Sequence, residues 1–120
     1  MPRIMARHLY GTVDLLILKI ISSHGPLHGL AILDEIRQRS DDYLQVEDAA
    51  LYPALHRLQK EGLLTSEWQI SEKRRRAKFY DLTPAGRKEL ARAVEAWKHH
   101  AGAVCKVLEI SWGDEKGTSS

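Results

Sequence analysis

Apolar residues in this chain recur at helical spacing as far as Lys60, alternate with polar ones from Leu64 to Leu82, and return to helical spacing after Pro84. That double change of period is the strongest constraint on its fold. A helical stripe cannot lie flat as a strand, and an alternating segment cannot line one face of a helix. The order it dictates is three helices, a two-stranded hairpin and one long helix. With 120 residues there is room for one such domain and a short appendage.

The signals at each boundary agree with that order. Thr12 is a candidate N-cap for a first helix over 12–23, apolar on most faces and so expected to be buried on several sides. Gly25-Pro26 punctuates its end. A second helix is expected from Leu27 to Arg39, with Ile32, Leu33 and Ile36 inward, followed by a short extended stretch at Tyr43–Val46. Glu47-Asp48 opens a third helix, where two acids suit the positive end of the dipole. Leu51, Leu55 and Leu58 face its core side, and Gly62 supplies a left-handed stop. Pro53 is tolerated only near a first turn, so this helix starts close to Ala49 or bends at Pro53. Leu64–Ile70 and Ala77–Leu82 read as strands around a charged tip at 71–76, with Trp68 in the hairpin's core. Thr83 as N-cap and Pro84 at the first helical position then start a helix running to about Ile110.

This is a mainly α chain with a β-hairpin wing: a winged helix-turn-helix at 9–83, a long C-terminal dimerisation helix at 84–111 and a polar flexible tail at 112–120. In such a module the third helix enters the DNA major groove and the wing reaches the neighbouring backbone or minor groove. The charge distribution agrees. The whole chain carries only +2, but residues 57–80 hold seven bases and three acids, a net +4. The candidate DNA contacts are Ala49, Tyr52, Pro53, His56, Arg57 and Lys60 on the third helix, and Lys73, Arg74, Arg75, Arg76 and Lys78 on the wing. Four consecutive cations repel one another, and a phosphate backbone relieves that repulsion. Plainer roles exist for some: a charged tip also keeps a hairpin soluble, Tyr52 can pack as a rim residue, and Arg57 and Lys60 can complement the helix dipole.

The last helix carries Leu90, Val94, Trp97, Ala101, Val104 and Leu108 at intervals of 4, 3, 4, 3 and 4, the narrow seam of a coiled coil. Burying each large side chain there stabilises by about 1.5–3 kcal/mol. The covering partner is the same helix of a second chain, or the chain's own first helix. The preferred arrangement has the helix cross to a partner subunit and pack on its first helix, with Leu15 and Leu18 in the dimer interface, placing two recognition helices about 34 Å apart. A protein-binding module without DNA contact, using the Trp97 seam, is the competing function.

Several segments together resemble the PadR family of bacterial transcriptional regulators. They are Gly11-Thr12-Val13-Asp14-Leu15-Leu16-Ile17-Leu18, Gly25-Pro26-Leu27-His28-Gly29, Leu51-Tyr52-Pro53-Ala54-Leu55-His56-Arg57-Leu58, and Arg76-Ala77-Lys78-Phe79-Tyr80-Asp81-Leu82-Thr83-Pro84-Ala85-Gly86. The resemblance implies a homodimeric repressor of a palindromic double-stranded operator, with Tyr52 as the recognition-helix tyrosine and Lys73–Arg76 as the wing tip. It also implies a possible small aromatic effector stacked on a C-terminal-helix tryptophan, for which Trp97 is the candidate; Trp97 as plain interface core is the alternative. Ala50 departs from the Ser, Thr or Gly that many members carry before Leu-Tyr, which removes a possible cap or phosphate contact.

No enzyme, metal site or cofactor is expected. Gly25-Pro26 interrupts the His24/His28 pair, adjacent His99 and His100 point apart, and Cys105 is alone. The longest apolar run, Leu15–Leu18, is far short of a membrane span. The N-terminus lacks the apolar stretch of a signal peptide, so a cytoplasmic protein is expected.

Overall fold

The computed structural model describes residues 2–111, with side chains from Thr12 onward; the expected tail at 112–120, Trp112 included, lies outside the described residues. Helices α1 (Pro2–His24), α2 (Gly29–Arg39) and α3 (Asp48–Lys60) precede the hairpin β2 (Leu64–Ile70) and β3 (Arg76–Leu82), and α4 spans Pro84–Leu108. A short strand β1 (Leu27–His28) lies between α1 and α2. The chain divides between Leu90 and Ala91 into two compact units.

The core of the first unit is built from the stripes visible in the sequence. Ile17, Leu18 and Ile21 of α1 are buried with Ile32 and Ile36 of α2, Leu51, Leu55 and Leu58 of α3, and Leu64, Tyr80 and Leu82 of the sheet. The sheet is antiparallel in the order β1-β3-β2. Leu64 pairs with Leu82 at the base of the hairpin, and Ile70 pairs with Arg76 at its far end.

Two local expectations are corrected. Thr12 lies inside α1, not at its start; Gly11 beside it disfavours a helix by about 1 kcal/mol relative to Ala, too little to end one. Leu27 and His28 are not the first turn of α2 but a strand, because Tyr80 and Phe79 of β3 supply the pairing. Within this arrangement His28 caps α2, its Nδ1 accepting the Ala31 N–H at 3.4 Å. Residues 43–46 carry no regular secondary structure. They follow a turn in which Asp41 and Asp42 adopt φ of 53° and 67°, a left-handed conformation that Asp tolerates better than most residues. Helix α3 starts at Asp48, close to Ala49 as expected, and continues through Pro53. Pro53 leaves the Ala49 carbonyl without its helical donor, and both residues are exposed.

The start of α4 is fixed to the hairpin's base. Thr83 Oγ1 donates to the Gly62 carbonyl at 2.6 Å and accepts the Gly86 N–H at 3.0 Å, while the Thr83 N–H donates to the Leu63 carbonyl at 3.1 Å. Gly86 is pressed so closely onto Leu63 that a Cβ there would lie 2.2 Å from the Leu63 carbonyl oxygen.

Candidate nucleic-acid interface

Helix α3 turns Leu51, Ala54, Leu55 and Leu58 into the core, so Ala49, Tyr52, Pro53, His56, Arg57 and Lys60 all fall on its outer side. Tyr52 is 43% exposed, yet one end of its ring is seated. A Cβ on Gly29 would lie 2.6 Å from its hydroxyl oxygen and 2.9 Å from two ring carbons, so the ring rests directly on the start of α2. Glycine is needed there for close approach, not for its dihedral freedom. Partial burial, then the nearby Asp48 carboxylate, raises the Tyr52 phenol above its ordinary pKa. Burial, then Tyr52, does the same to Tyr80. Tyr52 therefore combines a half-free ring with a fixed position between α2 and β3.

Arg57 makes a contact that the sequence did not show. Its guanidinium is ion-paired and hydrogen-bonded to Asp14 of α1. It links α1 to α3 while its side chain stays about half exposed, beside Lys60 on the outer side of α3. Asp14 is more than half buried, and desolvation raises its carboxyl pKa although Arg57 pulls the other way. A lone carboxylate inside the apolar run Val13–Ile21 was the sequence signal that a partner had to exist.

The hairpin is joined to α3 by Ser66 Oγ, which donates to Gln59 Oε1 at 3.1 Å. At its tip the Ser71 N–H donates to the Arg75 carbonyl and the Arg74 N–H to the Ser71 carbonyl, each at 2.8 Å. Arg74 takes a φ of 61° to close this turn. Lys73, Arg74, Arg75 and Arg76 are all exposed, and Lys78 is half-buried. A groove of about 850 Å³ runs between this tip and α2, with Leu30, Leu33 and Asp34 on one wall and Lys73, Arg75 and Arg76 on the other.

Trp68 does not fill the hairpin core. It is 54% exposed, since core burial extends along β2 only as far as Leu64. Arg76 and Lys78 lie over its ring instead. The sequence offered only strand alternation, which cannot say how far along a hairpin the covering helix reaches.

Of the residues assigned to a dimer seam, Leu18 is 1% exposed and belongs to the core of the first unit, and Leu90 is likewise buried. Leu15 is half-buried. In the second unit Trp97, Val104 and Leu108 are exposed, Val94 and Ala101 are intermediate, and Trp97 lies 5.9 Å from the His100 ring at an interplanar angle of 40°. Among the described residues no group of three or more His, Cys, Asp or Glu side chains converges as a metal site would require. No described helix is long and apolar enough to cross a membrane.

These elements match known proteins. The sequence profile described as "Transcriptional regulator PadR-like family" matches residues 17–92. The transcriptional regulator Rv3488 of Mycobacterium tuberculosis is 36% identical over 84 residues, which cover 62% of this chain and 75% of that protein. A transcriptional regulator from Clostridium thermocellum superposes with a TM-score of 0.73 at 30% identity, covering 80% of this chain and 92% of its own. A PadR family regulator from Eggerthella lenta gives 0.69 at 30% identity, covering 89% and 91%. Profile, relatives and winged fold agree: this chain belongs to the PadR-like family of transcriptional regulators, which are not enzymes.

Proposed function

We propose that this regulator is a homodimeric repressor of a palindromic operator, with α3 in the major groove and the β2–β3 tip on the flanking phosphates. One observation carries the reading. The outer face of α3 and four consecutive exposed cations belong to one unit, tied together through Ser66 and Gln59. Ala49, Tyr52, Pro53 and His56 are the residues proposed to approach base edges. Lys60, Lys73, Arg74, Arg75, Arg76 and Lys78 are proposed to bind phosphates, and Arg57 to act through Asp14 as a brace. Val94, Trp97, Ala101, Val104 and Leu108 supply the proposed dimer contact, with Leu15 as the α1 residue left for a partner. The half-open Trp97 ring supports a flat aromatic effector as the releasing ligand.

The test is binding to DNA upstream of the chain's own gene across a salt series. Log affinity falls linearly with log salt when phosphates are neutralised. Replacing Arg74, Arg75 and Arg76 together with Ala flattens the slope by roughly one unit per lost phosphate contact. Affinity independent of salt rules the reading out.

A further inference from the structure

The outer half of the hairpin holds one aromatic ring against two cations. The register sets Lys78 directly across from Trp68, and Arg76 two pairs further toward the tip, opposite Ile70. Strand alternation then puts Trp68, Ile70, Arg76 and Lys78 on the same face. It is the face whose inner end meets α3 through Ser66. The Arg76 guanidinium carbon stands 4.8 Å from the centroid of the Trp68 ring, and Lys78 Nζ stands 5.6 Å from it. Both fall within the roughly 6 Å over which an indole face attracts a cation, and Trp is the side chain that does so best.

The ring is more than half exposed, so core packing does not account for it. Its effect is on the two cations. Left alone, neighbouring like charges splay apart, and Arg and Lys side chains each sample many rotamers. Ordering such a side chain on binding weakens association, and a group already held in place avoids that loss. We propose that Trp68 is a positioning residue for the DNA contact: its ring holds Arg76 and Lys78 as a fixed pair of cations turned toward the phosphate backbone. The inference rests on the DNA-binding reading above.

The test uses the full chain and a labelled mixed-sequence DNA duplex of about three helical turns, with anisotropy read across a salt series. Trp68→Leu keeps an apolar side chain but removes the π face; Trp68→Phe keeps a π face. Trp68→Leu weakens binding by about five- to thirtyfold, while Trp68→Phe stays within about threefold of the unsubstituted chain. In a protein already carrying Arg76→Gln and Lys78→Gln, Trp68→Leu changes affinity by less than about twofold, because nothing is left to position. Equal binding by the Leu and Phe variants overturns the proposal, as does an undiminished loss in the double-Gln background. A Trp68→Leu chain that melts well below the Phe variant also overturns it, since Trp68 is then structural. If the unsubstituted chain binds no duplex at any salt, the DNA reading itself fails; binding that ignores Trp68 overturns this inference alone.

Discussion

Replacing Gly86 with Ala tests whether the hairpin and α4 are locked together at Leu63. Gly86 is the third residue of α4, where helix propensity alone favours Ala over Gly by up to about 1 kcal/mol. The structure opposes that gain. The new Cβ would lie 2.2 Å from the Leu63 carbonyl oxygen and 3.1 Å from Leu82 Cδ2. Ordinary contact requires a separation of backbone atoms by about 1 Å, since carbon pairs sit at about 3.5–4 Å and few contacts are shorter than 3 Å. The same carbonyl accepts the Thr83 N–H at 3.1 Å, so a shift of that size breaks a hydrogen bond as well. Overpacking costs about 1–3 kcal/mol and the broken bond about 1 kcal/mol. Net of propensity, Gly86→Ala destabilises by about 1–3 kcal/mol. Urea denaturation at fixed protein concentration reads this directly: with a slope near 1.5 kcal/mol/M, the midpoint falls by about 0.7–2 M. A midpoint that stays put or rises refutes the reasoning, because Gly86 would then be an ordinary helical glycine. Fixed concentration matters because self-association, as proposed above, makes a midpoint depend on it.

Gly29→Ala sends its Cβ into the far end of the Tyr52 side chain, which can swing outward; stability changes by no more than about 1 kcal/mol, while DNA affinity falls about tenfold. Unchanged affinity in the same salt series shows that the seat of Tyr52 does not matter. Asp14→Asn reports which influence on this carboxyl dominates. Because burial raises its folded pKa above the ordinary 3.8, its contribution to stability is fully present below that value and is lost as pH rises through the folded pKa. Urea midpoints from about pH 3 to about pH 6 should therefore show the unsubstituted chain losing stability relative to the Asn variant; a relative gain shows that Arg57 outweighs burial. Val104→Asp puts a carboxylate in the exposed stripe of α4 and weakens dimerisation by about a hundredfold or more, so light scattering gives the monomer mass. A persisting dimer mass places the interface elsewhere.

Much of the fold was legible because its signals are local. Thr83-Pro84 as the start of α4, Gly62 beyond the end of α3, and the leucines of α3 each act within a turn or two of themselves. Three features that could not be read this way are long-range. Leu27 and His28 become a strand only because β3, some 50 residues later, pairs with them. The ion-pair partner of Arg57 is invisible until α1 brings Asp14 to it. Trp68 alternates as a core residue does, but burial on β2 stops at Leu64.

Spacing and charge along the chain were enough for the order of the four helices and the hairpin, the basic segment at 57–80 and the apolar stripe at the end of the chain. All three are properties of spacing and charge, which do not depend on what packs against what. What the long polar and aromatic side chains touch depends instead on the packing of distant elements. Arg57 is tied to Asp14, Arg76 and Lys78 share the Trp68 ring, and Tyr52 is seated on Gly29. A charged or aromatic side chain is long enough to reach several neighbours, and which of them it meets is set by helices and strands that lie far apart in the chain.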